Sequence, residues 1–166
     1  MEKCYLLLGS NTGDRLAYLE KASEAISSIA GPITRCSSVY ETEPWGFEDN
    51  KTFLNQVIEL HTDMQAAELM EKILDTENKL GRMRSPGSSR YISRTIDIDI
   101  LFYGQQVIDQ PGLTIPHPRL HQRRFTLVPL SEIAPGMLHP VLNKSISDLE
   151  KICPDHLKVT KYDSNS

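Results

Sequence analysis

The order in which two hydrophobic periodicities succeed each other along the chain constrains the fold more than any other feature of the sequence. Segments that are alternating or continuously apolar predict strands, and segments with apolar residues every three or four positions predict helices. From the amino terminus, the predicted elements are a strand over 4–8, a helix ending at Gly31–Pro32, strands over 33–40 and 53–61, a helix opened by a Thr62–Gln65 capping box and ending at Gly81, and a strand over 94–101.

This β-α-β-β-α-β order predicts an α+β fold of the ferredoxin-like kind, in which an antiparallel sheet carries both helices on one face. The pattern after it is less regular and predicts additional C-terminal helices. These later elements are a hairpin over 107–115, a helix over 123–134 that is interrupted or begins near Pro129, and a short helix over 147–153. The length of 166 residues fits a single domain over 1–166, with the last residues, 162–166, expected to be frayed.

The strand over 94–101 carries two carboxylates on one face. Because it alternates strictly, its three isoleucines point to one side, and Asp97 and Asp99 point to the other. Side chains two apart on a strand are separated by roughly 6.5 Å, and two carboxylates that close repel each other unless a cation lies between them. Asp is depleted in strands, which favours a functional pair over a solvated face. Such pairs hold Mg²⁺ together with waters and substrate phosphates.

Arginines are concentrated around this strand. Seven of the nine arginines lie between residues 82 and 124, a segment that lacks lysine and carries a net charge of +4, whereas the rest of the chain carries −8. The planar guanidinium group grips phosphate oxygens in a bidentate manner, so this composition indicates a polyphosphate site beside Asp97 and Asp99. The stretch over 82–93 is small, polar and cationic without periodicity, which predicts a mobile loop that closes over phosphates.

Aromatic and amide side chains form a second group of candidates. Phe53 and Asn55 share a face of the 53–61 strand. They could offer a flat heterocycle a stacking surface and a group that both donates and accepts hydrogen bonds, or they could be an ordinary mixed face. The loop over 41–50 carries the only tryptophan, and its aromatic residues could line a pocket or pack back onto the domain. The loop over 9–14 lacks the P-loop lysine and is expected to be a turn with a helix cap.

The remaining features exclude several classes of protein. The three cysteines have no metal or disulfide spacing, and no apolar run approaches 18 residues, so a reduced, cytoplasmic protein without membrane contact is expected. The net charge of −4 argues against nucleic-acid binding. His117 and His121 have zinc-like spacing but lack a third ligand, so a phosphate or substrate contact by His117, near Arg123, is favoured.

Taken together, the motifs resemble those of the 6-hydroxymethyl-7,8-dihydropterin pyrophosphokinases of folate biosynthesis. The resemblance extends almost from end to end. The segments that carry it are Gly9-Ser10-Asn11, Arg94-Thr95-Ile96-Asp97-Ile98-Asp99-Ile100-Leu101 with Tyr103-Gly104, Ile115-Pro116-His117-Pro118-Arg119, Phe125-Thr126-Leu127-Val128-Pro129-Leu130 and Glu132-Ile133-Ala134-Pro135.

The resemblance implies a monomeric enzyme that moves the β,γ-diphosphate of ATP onto the hydroxymethyl oxygen of a pterin and releases AMP. Asp97 and Asp99 would hold two Mg²⁺ ions, and Arg82 and Arg94 would neutralise the charge of the transferred group. The implied ATP contacts are Glu77, Arg84, Tyr91, Ile100, Thr114, His117 and Arg123. The implied pterin contacts are Thr42, Glu43, Trp45, Gly46, Phe47, Phe53, Asn55 and Phe125.

The chain departs from the family pattern at three places. Tyr91 stands where tryptophan is common, and Ile92–Ser93 stands where small residues are usual. Gly112 occupies a position that is often held by a cationic residue. Two other classes of function remain as alternatives. A two-aspartate nucleotidyltransferase would release pyrophosphate and would need a template surface, which the −8 outside the arginine segment disfavours. A nucleotide-sensing module would bind ATP without turnover.

Overall fold

The computed structural model of the chain describes residues 1–42, 52–81 and 95–163. The strands are β1 (Glu2–Ser10), β2 (Ile33–Cys36), β3 (Tyr40–Thr42), β4 (Phe53–Thr62), β5 (Asp97–Tyr103), β6 (Ile108–Gln110), β7 (Leu113–Ile115) and β8 (Val159–Lys161). The helices are α1 (Arg15–Ile29), α2 (Ala66–Lys79), α3 (Arg124–Ile133) and α4 (Ile146–Lys151), with a 3-10 turn at Leu120–Gln122.

The principal sheet is antiparallel and has the strand order β5-β1-β4-β3-β8, with β2 pairing beside β3 along the same edge of β4. β6 and β7 form a separate hairpin. β1 lies between β4 and β5, so its run of leucines is covered on both edges by strands, as its continuously apolar sequence predicts. This arrangement confirms the predicted ferredoxin-like α+β fold class.

One face of the sheet packs against α1 and α2. The two helices contribute apolar stripes, including Leu19 and Ile26 from α1 and Leu69 and Ile73 from α2, to a core shared with alternate residues of β1, β4 and β5. α1 begins with a side-chain cap, since Asp14 accepts a hydrogen bond from the Ala17 N–H at 3.2 Å. The helix cap expected after the glycine loop is therefore confirmed.

The opposite face of the sheet has two halves of different character. What we call the apolar half is formed by Tyr5, Leu7, Val57, Leu101 and Phe102, which are buried beneath α3 and α4. What we call the polar half is the continuation of the same strands and comprises Gly9, Thr42, Phe53, Asn55, Asp97 and Asp99. The residues of α3 and α4 that are buried against this face pack on the apolar half.

Local interactions altered two of the predicted elements. The predicted strand over 33–40 is split into β2 and β3, because Ser37 uses its N–H to bond Val57 O and its Oγ to accept from Val57 N. The predicted capping box is wrong: Gln65 occupies the cap position, while Thr62 donates its hydroxyl to Ala30 O at 2.7 Å.

The C-terminal elements differ from the predictions in extent. α3 runs without interruption through Pro129, and α4 begins one residue before the predicted start at residue 147. β8 was not predicted, because its three residues carry no periodic pattern. Tyr162, within the stretch expected to be frayed, donates its N–H to Val39 O at 2.9 Å.

Candidate active site

The two strand carboxylates lie where β5 enters the polar half. Asp97 pairs with Gly9 of β1 and Asp99 pairs with Leu7, so both side chains project from the face that α1 and α2 do not cover. Both residues are partly exposed. A pair of carboxylates at this spacing can share a hard cation whose remaining ligands are waters and phosphate oxygens.

The outer edge of β5 is held by a helix carboxylate. Ile98, which lies between the two aspartates, donates its N–H to Glu77 Oε2 at 2.8 Å. Glu77 is 1% exposed, so this hydrogen bond is shielded from water. α2 thereby holds in position the segment of β5 from which Asp97 and Asp99 project.

His117 lies beside the second carboxylate, with its Nε2 atom 4.0 Å from Asp99 Oδ2. Its main-chain N–H donates to Leu101 O, and its Nδ1 accepts from the Arg119 N–H at 3.2 Å, which assigns the proton of the neutral ring to Nε2. Burial lowers the pKa of His117 to about 4; Arg123 and Arg119 act in the same direction and Asp97 opposes them. At neutral pH the ring is an uncharged donor pointing towards the carboxylates.

Cationic and aromatic groups meet where α3 begins. The Arg123 guanidinium lies over the ring of Phe125, with Cζ 5.6 Å from the ring centroid. The Arg124 N–H donates to Asp155 Oδ2 at 2.9 Å, which anchors this end of the helix. Arg119 and Arg123 both lower the pKa of His117, so two of the seven arginines of the 82–124 segment lie near this ring.

An amide and a hydroxyl form the opposite side of the polar half. Asn55 is 3% exposed, and its Nδ2 donates to Thr42 Oγ1 at 3.1 Å. Its Oδ1 would lie 2.8 Å from a Cβ built on Gly9, its cross-strand partner. Glycine at this position therefore lets the carboxamide lie flat over β1. Phe53, the partner of Thr42 across β3 and β4, is partly exposed beside them.

The other predicted site residues are placed as follows. The Ile100 side chain is buried in the helix-side core, so only its main chain is available to a ligand. Thr114 is exposed on β7. The remaining predicted residues lie outside the described ranges: Glu43, Trp45, Gly46, Phe47, Arg82, Arg84, Tyr91 and Arg94.

The donor set suits a hard, oxygen-preferring cation. Within residues 1–42, 52–81 and 95–163, no group of three or more His, Cys, Asp or Glu side chains is spaced to hold a metal. Mg²⁺ does not require such a cage, since it is commonly bound by one or two carboxylates together with waters and phosphate oxygens. Asp97 and Asp99, adjacent and partly exposed, fit that mode of binding.

Sequence reasoning missed the part played by Gly9 in the polar half. The residue marks the end of an apolar run, and nothing near it in sequence points to Asn55, 46 positions away. The available signal was the antiparallel pairing of the 4–8 and 53–61 strands, which brings Gly9 and Asn55 into register. Without that register, a glycine at a strand end predicts only a turn.

Comparison with known proteins identifies the relatives of this chain. The family model described as 7,8-dihydro-6-hydroxymethylpterin-pyrophosphokinase matches residues 5–135. A 2-amino-4-hydroxy-6-hydroxymethyldihydropteridine pyrophosphokinase from Aquifex aeolicus is 40% identical over 150 residues, which cover 90% of this chain and 91% of the relative. The protein of the same name from Bacillus subtilis is 43% identical over 130 residues, covering 78% and 76% of the two chains.

Two solved structures with the same fold belong to larger proteins. An HPPK-DHPS protein solved with substrates matches with a TM-score of 0.72 and 16% identity, and the match covers 90% of this chain and 43% of that one. Wild-type HPPK-DHPS from Plasmodium falciparum gives a TM-score of 0.69 at 17% identity, with 90% and 44% covered. The chain thus spans less than half the length of these solved proteins, and at such identities the likeness concerns the fold.

Proposed function

The chain belongs to the 7,8-dihydro-6-hydroxymethylpterin-pyrophosphokinase family, and on that premise we propose that it moves the β,γ-diphosphate of ATP to the hydroxymethyl oxygen of 6-hydroxymethyl-7,8-dihydropterin. It is an ATP-dependent diphosphotransferase of folate synthesis. In this reaction the hydroxymethyl oxygen bonds to the β-phosphorus of ATP. The bond from that phosphorus to the oxygen it shares with the α-phosphorus breaks, the hydroxyl proton is lost, and AMP leaves.

The observation that carries this proposal is the composition of the polar half. One sheet face presents a carboxylate pair, Asp97 and Asp99, together with an amide and hydroxyl pair, Asn55 and Thr42. The first pair suits a metal-bound polyphosphate and the second suits the polar edge of a heterocycle. A reaction that joins a phosphate chain to a pterin needs both on one surface.

Asp97 and Asp99 are the residues that would hold two Mg²⁺ ions. The ions, when bound, supply charge neutralisation at the phosphate oxygens and at the attacking hydroxyl. The chain itself holds the strand that carries the two carboxylates in place through the Glu77 bond to Ile98.

The ATP side is formed by neutral and cationic donors. His117 offers its Nε2–H to a phosphate oxygen without adding a charge that would compete for Asp99. Arg123 contributes a permanent positive charge beside it. In the proposal Arg84 and Tyr91 also hold ATP, Arg82 and Arg94 neutralise the transferred group, and Glu77, Ile100 and Thr114 lie towards the nucleoside.

The pterin side is formed by stacking groups and an amide edge. In the proposal the ring lies between Phe53 and Phe125, and Asn55 reads its polar edge with an orientation set by Thr42. Because Asn55 Nδ2 already donates to Thr42, its Oδ1 and its second N–H are the groups left for the ligand. Glu43, Trp45, Gly46 and Phe47 are proposed to complete this side.

Nucleotide product analysis tests the proposal. The chain is incubated with ATP and Mg²⁺, with and without 6-hydroxymethyl-7,8-dihydropterin, and AMP is separated from ADP. We expect AMP that depends on the pterin. ADP in its place would indicate transfer of a single phosphoryl group, and release of pyrophosphate without pterin would favour a nucleotidyltransferase. Bound ATP without any product would favour a sensing module.

We further propose that the protein acts as a cytoplasmic monomer. No helix within the described residues is long and apolar enough to cross a membrane. The polar half is assembled from four strands of one chain, so its described residues need no second copy. Light scattering during gel filtration should give a mass near 18.8 kDa, and a doubled mass would contradict the monomer.

A further inference from the structure

Arg15, the first residue of α1, forms a dense set of polar contacts on the sheet face opposite the polar half. Its Nη1 donates to Glu41 Oε2 at 3.0 Å, to Thr52 O at 3.1 Å and to Thr52 Oγ1 at 2.7 Å. The Thr52 hydroxyl in turn donates to Glu41 Oε2 at 2.8 Å. One guanidinium thus joins the start of a helix to two different strand ends.

The two strand ends that Arg15 joins carry proposed pterin contacts. Glu41 immediately precedes Thr42 on β3, and Thr52 immediately precedes Phe53 on β4. Thr42 and Phe53 are cross-strand partners. Because side chains alternate between faces, the Arg15 contacts lie on the helix side while Thr42 and Phe53 point into the polar half.

The network is stronger than an ordinary surface ion pair. The Arg15 and Glu41 side chains are 24% and 35% exposed, and an isolated pair of that kind contributes little. Here one acceptor is a main-chain carbonyl, which restrains the Thr52 backbone itself. The Thr52 hydroxyl bond lowers the pKa of Glu41; burial opposes this, and Arg15 adds to the lowering, so the carboxylate stays charged at neutral pH.

The segment that follows β8 also contacts Arg15. The guanidinium lies over the ring of Tyr162, with Cζ 5.8 Å from the centroid. Tyr162 is itself tied to Val39 through its N–H. The Arg15 side chain is therefore constrained both by its hydrogen-bond acceptors and by the ring above it.

We propose that Arg15 is a positioning residue for pterin binding: it fixes the end of β3 against the start of β4, and so sets the spacing of Thr42, Phe53 and Asn55. This inference rests on the proposed function, since it assigns the pterin to these residues. Asn55 donates to Thr42, so a shift of β3 would also turn the carboxamide away from the ligand. Asp97 lies on β5, across β1 from this contact, and the His117 N–H donates to Leu101 O on the same strand, so ATP binding should not depend on Arg15.

The test compares Arg15→Met and Arg15→Lys with Arg35→Met. Arg35 is a matched control, because its Nη1 also donates to a main-chain carbonyl, Ile133 O at 3.0 Å, but away from the polar half. Pterin affinity is measured by fluorescence titration in the presence of Mg²⁺ and a non-hydrolysable ATP analogue. Affinity for the analogue alone is measured by calorimetry, and thermal unfolding is recorded for each variant.

We expect Arg15→Met to weaken pterin binding about tenfold and Arg15→Lys to recover part of that loss, with analogue binding unchanged in both. Arg35→Met should leave both affinities unchanged. Thr52→Val removes the hydroxyl without touching the charge and should weaken pterin binding less, about threefold, so the series remains informative if Arg15→Met does not fold.

Three results would overturn the proposal: unchanged pterin affinity in Arg15→Met and Thr52→Val, equal weakening of pterin and analogue, or the same pterin loss in Arg35→Met. Failure of the underlying function looks different. If the wild-type chain bound no pterin and released no pterin-dependent AMP, the proposed function and this inference would fall together. If the wild-type chain did both while the Arg15 variants bound pterin normally, only the present inference would fail.

Discussion

The two halves of one sheet face show how a short change of pattern divides stability from function. β1, β4 and β5 contribute Leu7, Val57 and Leu101 to the apolar half. Two residues away along each strand, the same three strands contribute Gly9, Asn55 and Asp99 to the polar half. Because side chains two apart share a face, a single sheet surface passes from buried core to candidate active site.

The difference is energetic as well as geometric. Each fully buried aliphatic side chain of the apolar half stabilises the fold by about 1.5–3 kcal/mol. The polar half contributes little of this kind, since it places two carboxylates side by side and buries Asn55. Changes in one half should therefore act on folding, and changes in the other on ligand binding and turnover.

The largest effect is expected from Asp97→Ala or Asp99→Ala. Loss of either metal-binding carboxylate should lower the rate of AMP formation on the order of 10³-fold, since several kcal/mol of charge stabilisation are removed. The thermal unfolding temperature should stay near the wild-type value, because both side chains are partly exposed. Asp109→Ala, on an exposed residue of β6, is the control and should have wild-type turnover. Unchanged turnover in both aspartate variants would remove the metal assignment.

The next largest effect should come from α3, which packs on the apolar half, and it should lower stability rather than turnover. Leu130 on α3 is fully buried, and Leu130→Ala is expected to lower the free energy of unfolding by about 2–5 kcal/mol through lost contacts and the cavity left behind. At a temperature where the variant is folded, pterin affinity should stay near the wild-type value. Leu138→Ala, on a side chain that is 56% exposed, should change stability by less than about 0.5 kcal/mol.

If Leu130→Ala lowered pterin affinity as well as the free energy of unfolding, the two halves would not be separable. Denaturant unfolding followed by the titration described for Arg15 would measure both quantities on the same samples.

A smaller, more selective effect is expected from Gly9→Ala. The added Cβ would lie 2.8 Å from Asn55 Oδ1, so the carboxamide must move off β1, and pterin affinity should fall about tenfold. ATP-analogue binding should be unchanged, since Asp97 keeps its pairing with β1. Gly136→Ala is the control, because a Cβ there meets nothing within 4 Å. Wild-type pterin affinity in Gly9→Ala would show that the Asn55 orientation does not matter.

The smallest effect concerns the pH dependence of stability and involves Glu59, the cross-strand partner of Tyr5. Burial tends to raise the pKa of Glu59, but hydrogen bonds from Tyr5 and Thr34 with nearby positive charges lower it below its usual value. A carboxyl group with a depressed folded pKa stabilises the protein above its unfolded pKa, and this contribution is lost as pH falls through the folded pKa.

Glu59→Gln should therefore be less stable than wild type at pH 7 and should lose less stability on acidification from about pH 5 to pH 3. Urea unfolding at several pH values measures this. Parallel stability curves for the two proteins would contradict the assigned role of Glu59.

The local sequence pattern was sufficient to predict most of the strands and helices, because the periodic segments are long. It failed where a side chain makes its hydrogen bond to a group far away in sequence instead of a local one. Thr62 was expected to cap α2, but its hydroxyl donates to Ala30 O at the end of α1. Ser37 interrupts the predicted strand through bonds to Val57, and β8 is too short and too exposed to leave a signal.

The candidate site divides in a similar way. The aspartate pair could be predicted from alternation within one strand, and the arginine concentration from composition. The Gly9–Asn55 approach and the Glu77–Ile98 bond could not, since each depends on the register of segments far apart in sequence. A ligand contact by His117 was predicted from its closeness in sequence to Arg123, and the role of Phe125 was suggested by the family resemblance. The structure adds the proton position of the histidine ring.

Counting bound cations tests the central claim, that the polar half holds the metal-bound phosphate chain on Asp97 and Asp99, most directly. Mn²⁺, which also accepts carboxylate and phosphate oxygens, can replace Mg²⁺ and be followed by electron paramagnetic resonance. In the presence of a non-hydrolysable ATP analogue and the pterin, the wild-type chain should bind two ions. An Asp97→Asn, Asp99→Asn double variant should bind neither tightly. Two tightly bound ions in the double variant would place the metal site elsewhere and contradict the account.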